Sequence, residues 1–178
     1  MYAFRILLVA LQAWAIAASP ILVARQRDII TSALTGVQKS LQNLDTAVRG
    51  LSASDPNSAV AVLNGAQGAQ EALSKATTMI SGADNLGLFG ALGLQQTADG
   101  LVTQVQTTLG DLTQKKPVFD QLGVTSVVSD ALQQQKAGSG ALASTLLEKV
   151  PAIARPIAEQ STGQLTEALD KAIAAFSA

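Results

Sequence analysis

The sequence predicts an all-α protein, an antiparallel bundle of about five long helices. Apolar residues recur at steps of four and three along several long stretches, prolines are few, and no segment shows the alternation typical of strands. Apolar residues make up 48% of the 178 residues and aromatic residues only 3%, so the predicted core consists of small aliphatic side chains. This length is typical of a single domain.

The composition excludes several classes of function. The chain has no cysteine and no histidine, which removes disulfides, thiolate nucleophiles, histidine-based catalytic sets and the common zinc ligands. Its formal charge of −1 gives no electrostatic reason to bind nucleic acid. Acidic residues are scattered singly, without the spacing of a metal site or an acid/base pair. We therefore predict no catalytic residues, no metal ligands and no cofactor.

The first 18 residues have the pattern of a signal peptide, with Arg5 near the start, an apolar run from Ile6 and the small residues Ala15, Ala17 and Ala18 at the expected cleavage site. The apolar run is shorter than the roughly 20 residues that span a bilayer, so a retained membrane anchor is the less favoured interpretation. We expect a secreted, extracellular protein, with cell-wall association as an alternative. Residues 19–27 are interpreted as a short N-terminal arm and residues 28–178 as the helical domain.

The first predicted helix, over 28–51, has the most regular apolar stripe in the chain. A turn with an Asp-Pro pair follows, and Asn57 or Ser58 is the predicted N-cap of a second helix that extends to about residue 81. The stripe of this second helix is mostly alanine, which allows close helix contacts or leaves room that no neighbour fills. Glycine-rich residues 82–93 are predicted to be either a loop over the end of the bundle or a mobile flap.

The third helix, predicted over 95–122, is the element around which the others are expected to pack. Pro117 lacks a backbone donor and clashes with the preceding turn, which predicts a kink near 113–117. Gly123 is predicted to end this helix, and Thr125 to cap the next one.

The fourth helix is predicted over 126–149, and the fifth follows, with Ile153 and Ile157 among its inward residues. Polar and small residues interrupt the apolar stripes of both helices, over 133–140 and 159–164. In an antiparallel hairpin these interruptions would face each other and leave space with hydrogen-bonding groups. They predict a polar head-group site in an apolar cavity, whereas a weak solvent-facing patch is the alternative. The polar candidates are Gln135, Ser139, Ser161, Thr162 and Gln164.

The stretch KKPVFDQLG at 115–123, the signal-peptide pattern and the cysteine-free, Ala- and Leu-rich helical chain together resemble the fungal hydrophobic surface-binding protein A family. This family includes cell wall galactomannoproteins. The similarity extends from about Gln26 to the closing LDKAIAAF at 169–176. The resemblance implies a secreted five-helix bundle that binds hydrophobic surfaces, in some members assisting a polyester-degrading enzyme, or that encloses long-chain fatty acids between its helices.

We therefore hypothesise a noncatalytic protein that binds long-chain fatty acids or similar lipids in an apolar cavity between helices. The alternative is a surface-active protein that adsorbs to cutin-like polyesters or waxes, or a cell wall mannoprotein with a structural role. A secreted polyester hydrolase is a further implied partner. Lys116 is a candidate carboxylate partner, and Phe119 a candidate anchor of one end of the bundle. The full predicted lipid-binding set is Val105, Leu109, Leu112, Lys116, Phe119, Leu132, Gln135, Ser139, Leu142, Thr162, Leu165 and Leu169.

Overall fold

A computed structural model describes residues 19–177, which form five long helices and one short helix. The signal peptide predicted for residues 1–18 lies outside these residues. No strand is present in the described part, and none of its helices combines the length and apolar character needed to cross a membrane. The predicted all-α class with five long helices is confirmed. The helices are α1 (Ser19–Arg49), α2 (Asn57–Ser81), α3 (Leu88–Gln114), the short α4 (Lys116–Leu122), α5 (Thr125–Lys149) and α6 (Arg155–Ser177), with a 3-10 turn at Ala152–Ala154.

The five long helices form a closed ring. Helix α1 packs between α2 and α3, α3 also packs on α6, and α6 packs on α5, which in turn contacts α2. Each long helix therefore has two main neighbours, and within 19–177 no helix occupies the middle of the ring. The prediction that the third helix is a central element is wrong. Helix α3 is one wall of the ring, because Thr103, Gln106 and Thr107 on its outer face are exposed.

Two apolar clusters close the ring at its ends. At one end, Phe119 and Phe176 pack edge to face, with ring centroids 5.8 Å apart, and Val48 joins the same cluster. At the other end, Ile30 and Ile80 are fully buried in a second cluster. We call these the phenylalanine end and the isoleucine end. The space between the two clusters is bounded by the five wall helices.

Two helices begin earlier than the sequence predicts. Helix α1 begins at Ser19, so residues 19–27, predicted as an arm, are helical. Helix α3 begins directly after Gly87, which is extended, so the connection is limited to 82–87.

Pro117 separates two helices instead of kinking one. The backbone N–H of Lys115 donates to the carbonyl of Asp111 at 3.1 Å and closes α3, while the Lys115 carbonyl accepts from the N–H of Phe119 at 3.2 Å and opens α4. Pro117 then lies in the first turn of α4, where it is tolerated. Gly123 ends α4 in the left-handed conformation, with φ 70°, as predicted.

Neither predicted N-cap forms. Helix α2 begins at Asn57, whose backbone N–H donates to Oδ1 of Asp55 at 3.0 Å, and the Ser58 hydroxyl donates back to the carbonyl of Asp55. Thr125 is the first residue of α5, and its hydroxyl donates to the carboxylate of Asp120. The hydroxyls of Ser58 and Thr125 thus form hydrogen bonds with the residues that precede their helices, and neither helix has a side-chain cap.

The prediction that Ile153 and Ile157 point inward is also wrong. Ile153 is 75% exposed and Ile157 is 44% exposed, whereas Ala154 is buried. The 3-10 turn at Ala152–Ala154 has three residues per turn, so the apolar spacing counted for a continuous α-helix loses its phase there.

Gly65 and Gly68 on α2 form a matched pair for testing helix packing. A Cβ on Gly65 would lie 3.1 Å from the Cα of Leu44 on α1, whereas a Cβ on Gly68 would meet no atom within 4 Å. Gly65→Ala is expected to lower the free energy of unfolding by about 1–2 kcal/mol, because α1 must move away. Gly68→Ala should raise it by about 0.5–1 kcal/mol, because alanine is the better helix former. Chemical denaturation measures both values, and equal effects would contradict the close approach at Gly65.

Candidate ligand cavity

The middle of the helix ring is a cavity of about 140 Å³ between the two packed ends. It forms because Leu, Val and Ala side chains on five wall helices do not fill the ring axis. For comparison, an engineered cavity of about 150 Å³ in another protein holds one benzene molecule. All five long helices contribute wall residues: Leu34, Val37, Leu41, Leu44, Leu73, Ala98, Leu101, Val102, Val105, Thr108, Leu109, Leu112, Leu132, Gln135, Ser139, Leu142, Ala143, Leu146, Ala158, Ser161, Thr162, Leu165 and Leu169.

The cavity is elongated along the bundle. Its wall residues extend over Ala98–Leu112 on α3 and over Leu132–Leu146 on α5. At the rise of an α-helix, each of these two segments is about 21 Å long. On α6 the wall residues extend over Ala158–Leu169. A long, narrow space of this kind suits an extended acyl chain better than a compact ring system.

Ten of the twelve residues predicted from the sequence lie in the cavity wall. The polar interruptions of α5 and α6 face the same space, because these helices pack against each other as an antiparallel pair. Ser161, a further polar candidate, also lies in the wall, whereas Gln164 lines a surface groove with residues of α3. The ten are Val105, Leu109, Leu112, Leu132, Gln135, Ser139, Leu142, Thr162, Leu165 and Leu169.

Lys116 and Phe119 lie outside the wall. The Lys116 ammonium is 3.1 Å from Oδ2 of Asp120, one turn later on α4. Hydrogen bonds from Thr125 and then from Lys116 hold the pKa of the Asp120 carboxyl below its usual value. Phe119 is 1% exposed and closes the phenylalanine end against Phe176. Lys116 leaves the predicted stripe because the break between α3 and α4 changes the helical phase.

Most of the polar groups in the wall have local hydrogen bonds, but they can accept or donate further ones. Gln135 Nε2 donates to the carbonyl of Ala66 at 2.8 Å, and the Thr162 hydroxyl donates to the carbonyl of Ala158 at 2.9 Å. The Ser139 hydroxyl forms no hydrogen bond with another group among residues 19–177. The remaining hydroxyl and amide lone pairs are able to meet the polar head of a ligand.

Sequence reasoning missed the contribution of α1 and of the first half of α3. Leu34, Val37, Leu41 and Leu44 line the cavity, as does Leu101. The stripe of α1 was recognised as inward, but a stripe that faces a cavity has the same periodicity as one that faces a packed core. No local signal in these helices separates the two cases.

A charged cluster lies at the contact between α1 and α3, next in sequence to wall residue Leu44. Arg49 is 2.9 Å from Asp45 and 2.7 Å from Asp111. Asp45 is buried, and its Oδ1 has no hydrogen-bond partner within the described residues. Burial raises the pKa of the Asp45 carboxyl above its ordinary value of 3.8, and the Arg49 guanidinium opposes this rise. The cluster joins two wall helices, and none of its three residues lines the cavity.

Asp45→Asn is expected to raise the free energy of unfolding at neutral pH by on the order of 1 kcal/mol, because it removes a buried charge with an unpaired oxygen. A raised folded-state pKa means that the carboxylate destabilises the fold above that pKa. This cost is relieved as the pH falls and is absent below the unfolded value of 3.8. The gain in the free energy of unfolding from Asp45→Asn should therefore become smaller as the pH falls.

Denaturation at a series of pH values measures this difference. Asp111→Asn is the control, since Asp111 is the other partner of Arg49 and its loss should destabilise the fold. A loss of stability in Asp45→Asn at neutral pH would show that the pair with Arg49 outweighs the burial of Asp45.

Comparison with known proteins identifies the family. The model for a family described as Hydrophobic surface binding protein A matches residues 28–148. The chain belongs to this family. The match covers α1 from Asp28 through α5, and thus four of the five long helices that line the cavity.

The chain is similar to a cell wall protein and to two ligand-bound proteins of known structure. Cell wall mannoprotein 1 of Aspergillus flavus is 27% identical over 155 residues, which are 87% of the chain but only 56% of that relative. Ligand binding domain 1 of the Penicillium marneffei MP1 protein, complexed with arachidonic acids, superposes with a TM-score of 0.82 at 22% identity over 86% of this chain and 99% of that domain. AFMP4P in complex with palmitic acid superposes with a TM-score of 0.80 at 23% identity, over 84% of this chain and 99% of AFMP4P. These two likenesses establish a shared fold.

Proposed function

We propose that this chain binds long-chain fatty acids, or lipids with comparable acyl chains, in the cavity at the middle of the helix ring. The observation that carries the proposal is an elongated cavity with an almost wholly aliphatic wall and hydroxyl and amide groups along α5 and α6. Apolar burial supplies the driving force, at about 25 cal/mol per Å² removed from water. The two solved relatives with palmitic and arachidonic acids support this choice of ligand.

Binding a long acyl chain requires the ring to widen, because about 140 Å³ is close to the space that one benzene molecule occupies in an engineered cavity. Helix α6 is the wall most able to move. Its buried residues are Leu169, Ala172 and Phe176, all in its second half. The first half of α6 is held by fewer buried contacts and is expected to open at a lower free energy.

We propose that the protein acts without catalysis. None of the described wall residues is Asp, Glu, Lys or Arg, and the sequence contains no histidine or cysteine. An acid/base or nucleophilic mechanism at the cavity would have only hydroxyl and amide side chains to use. The name of the relative from Aspergillus flavus, a cell wall mannoprotein, agrees with this proposal.

The proposed ligand contacts are the predicted residues that line the cavity, and they exclude Lys116. Lys116→Met is expected to leave fatty-acid affinity unchanged, because the ammonium pairs with Asp120 away from the wall. Displacement of a fluorescent fatty acid measures the affinity, and circular dichroism checks the helix content. A tenfold weaker affinity of Lys116→Met, equivalent to about 1.4 kcal/mol, would show that Lys116 is the partner of the fatty-acid carboxylate.

Lipid extraction from the purified protein, followed by mass spectrometry, tests the proposed function most directly. We expect copurifying fatty acids or, after delipidation, saturable one-to-one binding of a fluorescent fatty acid that palmitate displaces. The absence of both signals from folded protein would reject the cavity as a lipid site.

Adsorption to hydrophobic surfaces is the second candidate function, and the exposed apolar side chains at the isoleucine end favour it. It predicts depletion of the protein by hydrophobic beads without saturable lipid binding. A partnership with a secreted polyester hydrolase belongs to this candidate. Co-sedimentation of the two proteins on polyester particles would test it.

We propose an extracellular or cell-wall location, which the cell wall mannoprotein name of the Aspergillus flavus relative supports. Secretion through the predicted signal peptide at 1–18 is part of this proposal. N-terminal sequencing of protein from culture medium tests it. A mature chain that still begins at Met1 would contradict cleavage.

A further inference from the structure

Exposed apolar side chains are concentrated at the isoleucine end. Phe89 is 86% exposed and Ile153 is 75% exposed, and Leu88, Leu92 and Ile157 are each more than two-fifths exposed. We call these five residues the apolar rim. The other large apolar residues that are exposed in the described chain, Val60 and Val127, lie beside residues of the phenylalanine-end cluster. A contiguous exposed patch of large apolar side chains, unlike single exposed residues, marks a site of contact with another apolar surface.

The two halves of the rim are held next to each other. The first half lies on the first turns of α3, where the spacing of Leu88, Phe89 and Leu92 places them on one side of the helix. The second half lies at the start of α6. The backbone N–H of Leu86 donates to the carbonyl of Lys149 at 2.8 Å, and the 3-10 turn before α6 packs on α3. These contacts join the two helix starts.

A second cavity, of about 50 Å³, lies beneath the rim, between α3 and α6. Rim residues Leu92 and Ile157 form part of its wall. It shares further wall residues with the main cavity, namely Ala98, Leu146, Ala158 and Ser161. Three of these four are small, so Leu146 is the large side chain among those that the two spaces share. The space beneath the rim thus adjoins the main cavity, with these shared residues between the two.

The helices on both sides of this second cavity are loosely packed. On α3 no residue between Leu94 and Val105 is buried, and on α6 the first buried residue is Leu169. Segments that bury few apolar contacts open at a lower free energy than the rest of a fold. The path from the rim to the main cavity therefore runs between the least anchored parts of the ring.

We propose that the apolar rim is the mouth of the cavity and docks on the surface of a lipid aggregate, from which an acyl chain passes between α3 and α6 into the ring. This proposal rests on the proposed function. The partner is a lipid surface because the rim leads directly into a space that suits the same apolar chains. Transfer by contact also avoids exposing the acyl chain to water. Leu146 acts as the gate, since its displacement joins the two cavities.

Transfer kinetics test the mouth. The delipidated protein is loaded with a fluorescent fatty acid and mixed with phosphatidylcholine vesicles that contain a quencher. For transfer by contact, the rate rises in proportion to vesicle concentration. In the double variant Phe89→Ser with Ile153→Ser the rate should fall about tenfold, equivalent to about 1.4 kcal/mol of the docked complex, because both side chains lose their apolar contact with the vesicle. The affinity without vesicles should not change, since neither residue lines the main cavity.

Val60→Ser is the matched control, because Val60 is 53% exposed beside the opposite end, and it should transfer at the wild-type rate. A wild-type rate in the double variant, or a rate independent of vesicle concentration, would reject the rim as the mouth of the cavity and would leave the proposed fatty-acid binding unaffected. Failure of the wild-type protein to bind the fluorescent fatty acid overturns the proposed function and the mouth together. A dimer in analytical ultracentrifugation that the double variant abolishes overturns the lipid surface as partner, since the rim would then cover a second copy.

Discussion

Ser139→Phe is expected to weaken fatty-acid binding more than tenfold while the helices remain folded. Ser139 lies in the cavity wall, half-buried on α5, and its hydroxyl forms no hydrogen bond within the described chain, so loss of the hydroxyl leaves no group unpaired. A phenyl ring at this position would enter a space of about 140 Å³, which is close to the volume that holds one benzene molecule. The phenyl group introduced by Ser139→Phe would therefore occupy the volume that the acyl chain needs. Affinity for a fluorescent fatty acid should fall more than tenfold, or at least about 1.4 kcal/mol.

The matched control is Ser144→Phe, the same change at an exposed position of the same helix that does not line the cavity. It should bind fatty acid like the wild type. Overpacking a protein interior costs about 1–3 kcal/mol, so thermal unfolding of both variants accompanies the binding assay. A folded Ser139→Phe protein that still binds fatty acid with wild-type affinity would show that the ligand lies elsewhere.

The helices and the polar part of the wall are predictable from the sequence because each leaves a local pattern. Apolar steps of four and three indicate a helix face that must be covered. Gln135, Ser139 and Thr162 stand out because polar residues interrupt that pattern on two neighbouring helices. An interruption of this kind carries information that an unbroken stripe lacks.

The closed ring is not predictable in the same way. Its form depends on which helices pair over long distances in the sequence, such as α2 with α5 and α3 with α6. The stripe of α1 is the same whether it faces a packed core or a cavity, so Leu34 and Leu41 gave no sign of their place in the wall. Helix α3 was interpreted as central for the same reason.

The wrong side-chain directions share one cause. Lys116 and Ile153 were placed by continuing a helical count across a segment that contains a proline. At Lys115 and at the 3-10 turn before α6 the backbone leaves the α-helix, so the angular position of every later residue changes. The phase of a stripe is reliable only within one uninterrupted helix.

Phe119→Ala is expected to cause the largest loss of stability of the changes considered. Phe119 is 1% exposed, and its ring contacts Phe176 at the phenylalanine end with centroids 5.8 Å apart. Removing a buried phenyl ring typically costs about 3–5 kcal/mol, because the transfer energy is lost and a cavity remains. The free energy of unfolding should fall by about 4 kcal/mol. For a domain of this size the melting temperature should fall by on the order of 10 °C.

The matched control is Phe89→Ala, which makes the same change at a side chain that is 86% exposed. It should leave the melting temperature nearly unchanged, because surface substitutions usually alter stability by less than about 0.5 kcal/mol. A small effect of Phe119→Ala would mean that the phenylalanine end relaxes to fill the space. A large effect would show that this end anchors the ring. A ring without disulfides, since the chain has no cysteine, needs such an anchor if its other end is to open for an acyl chain.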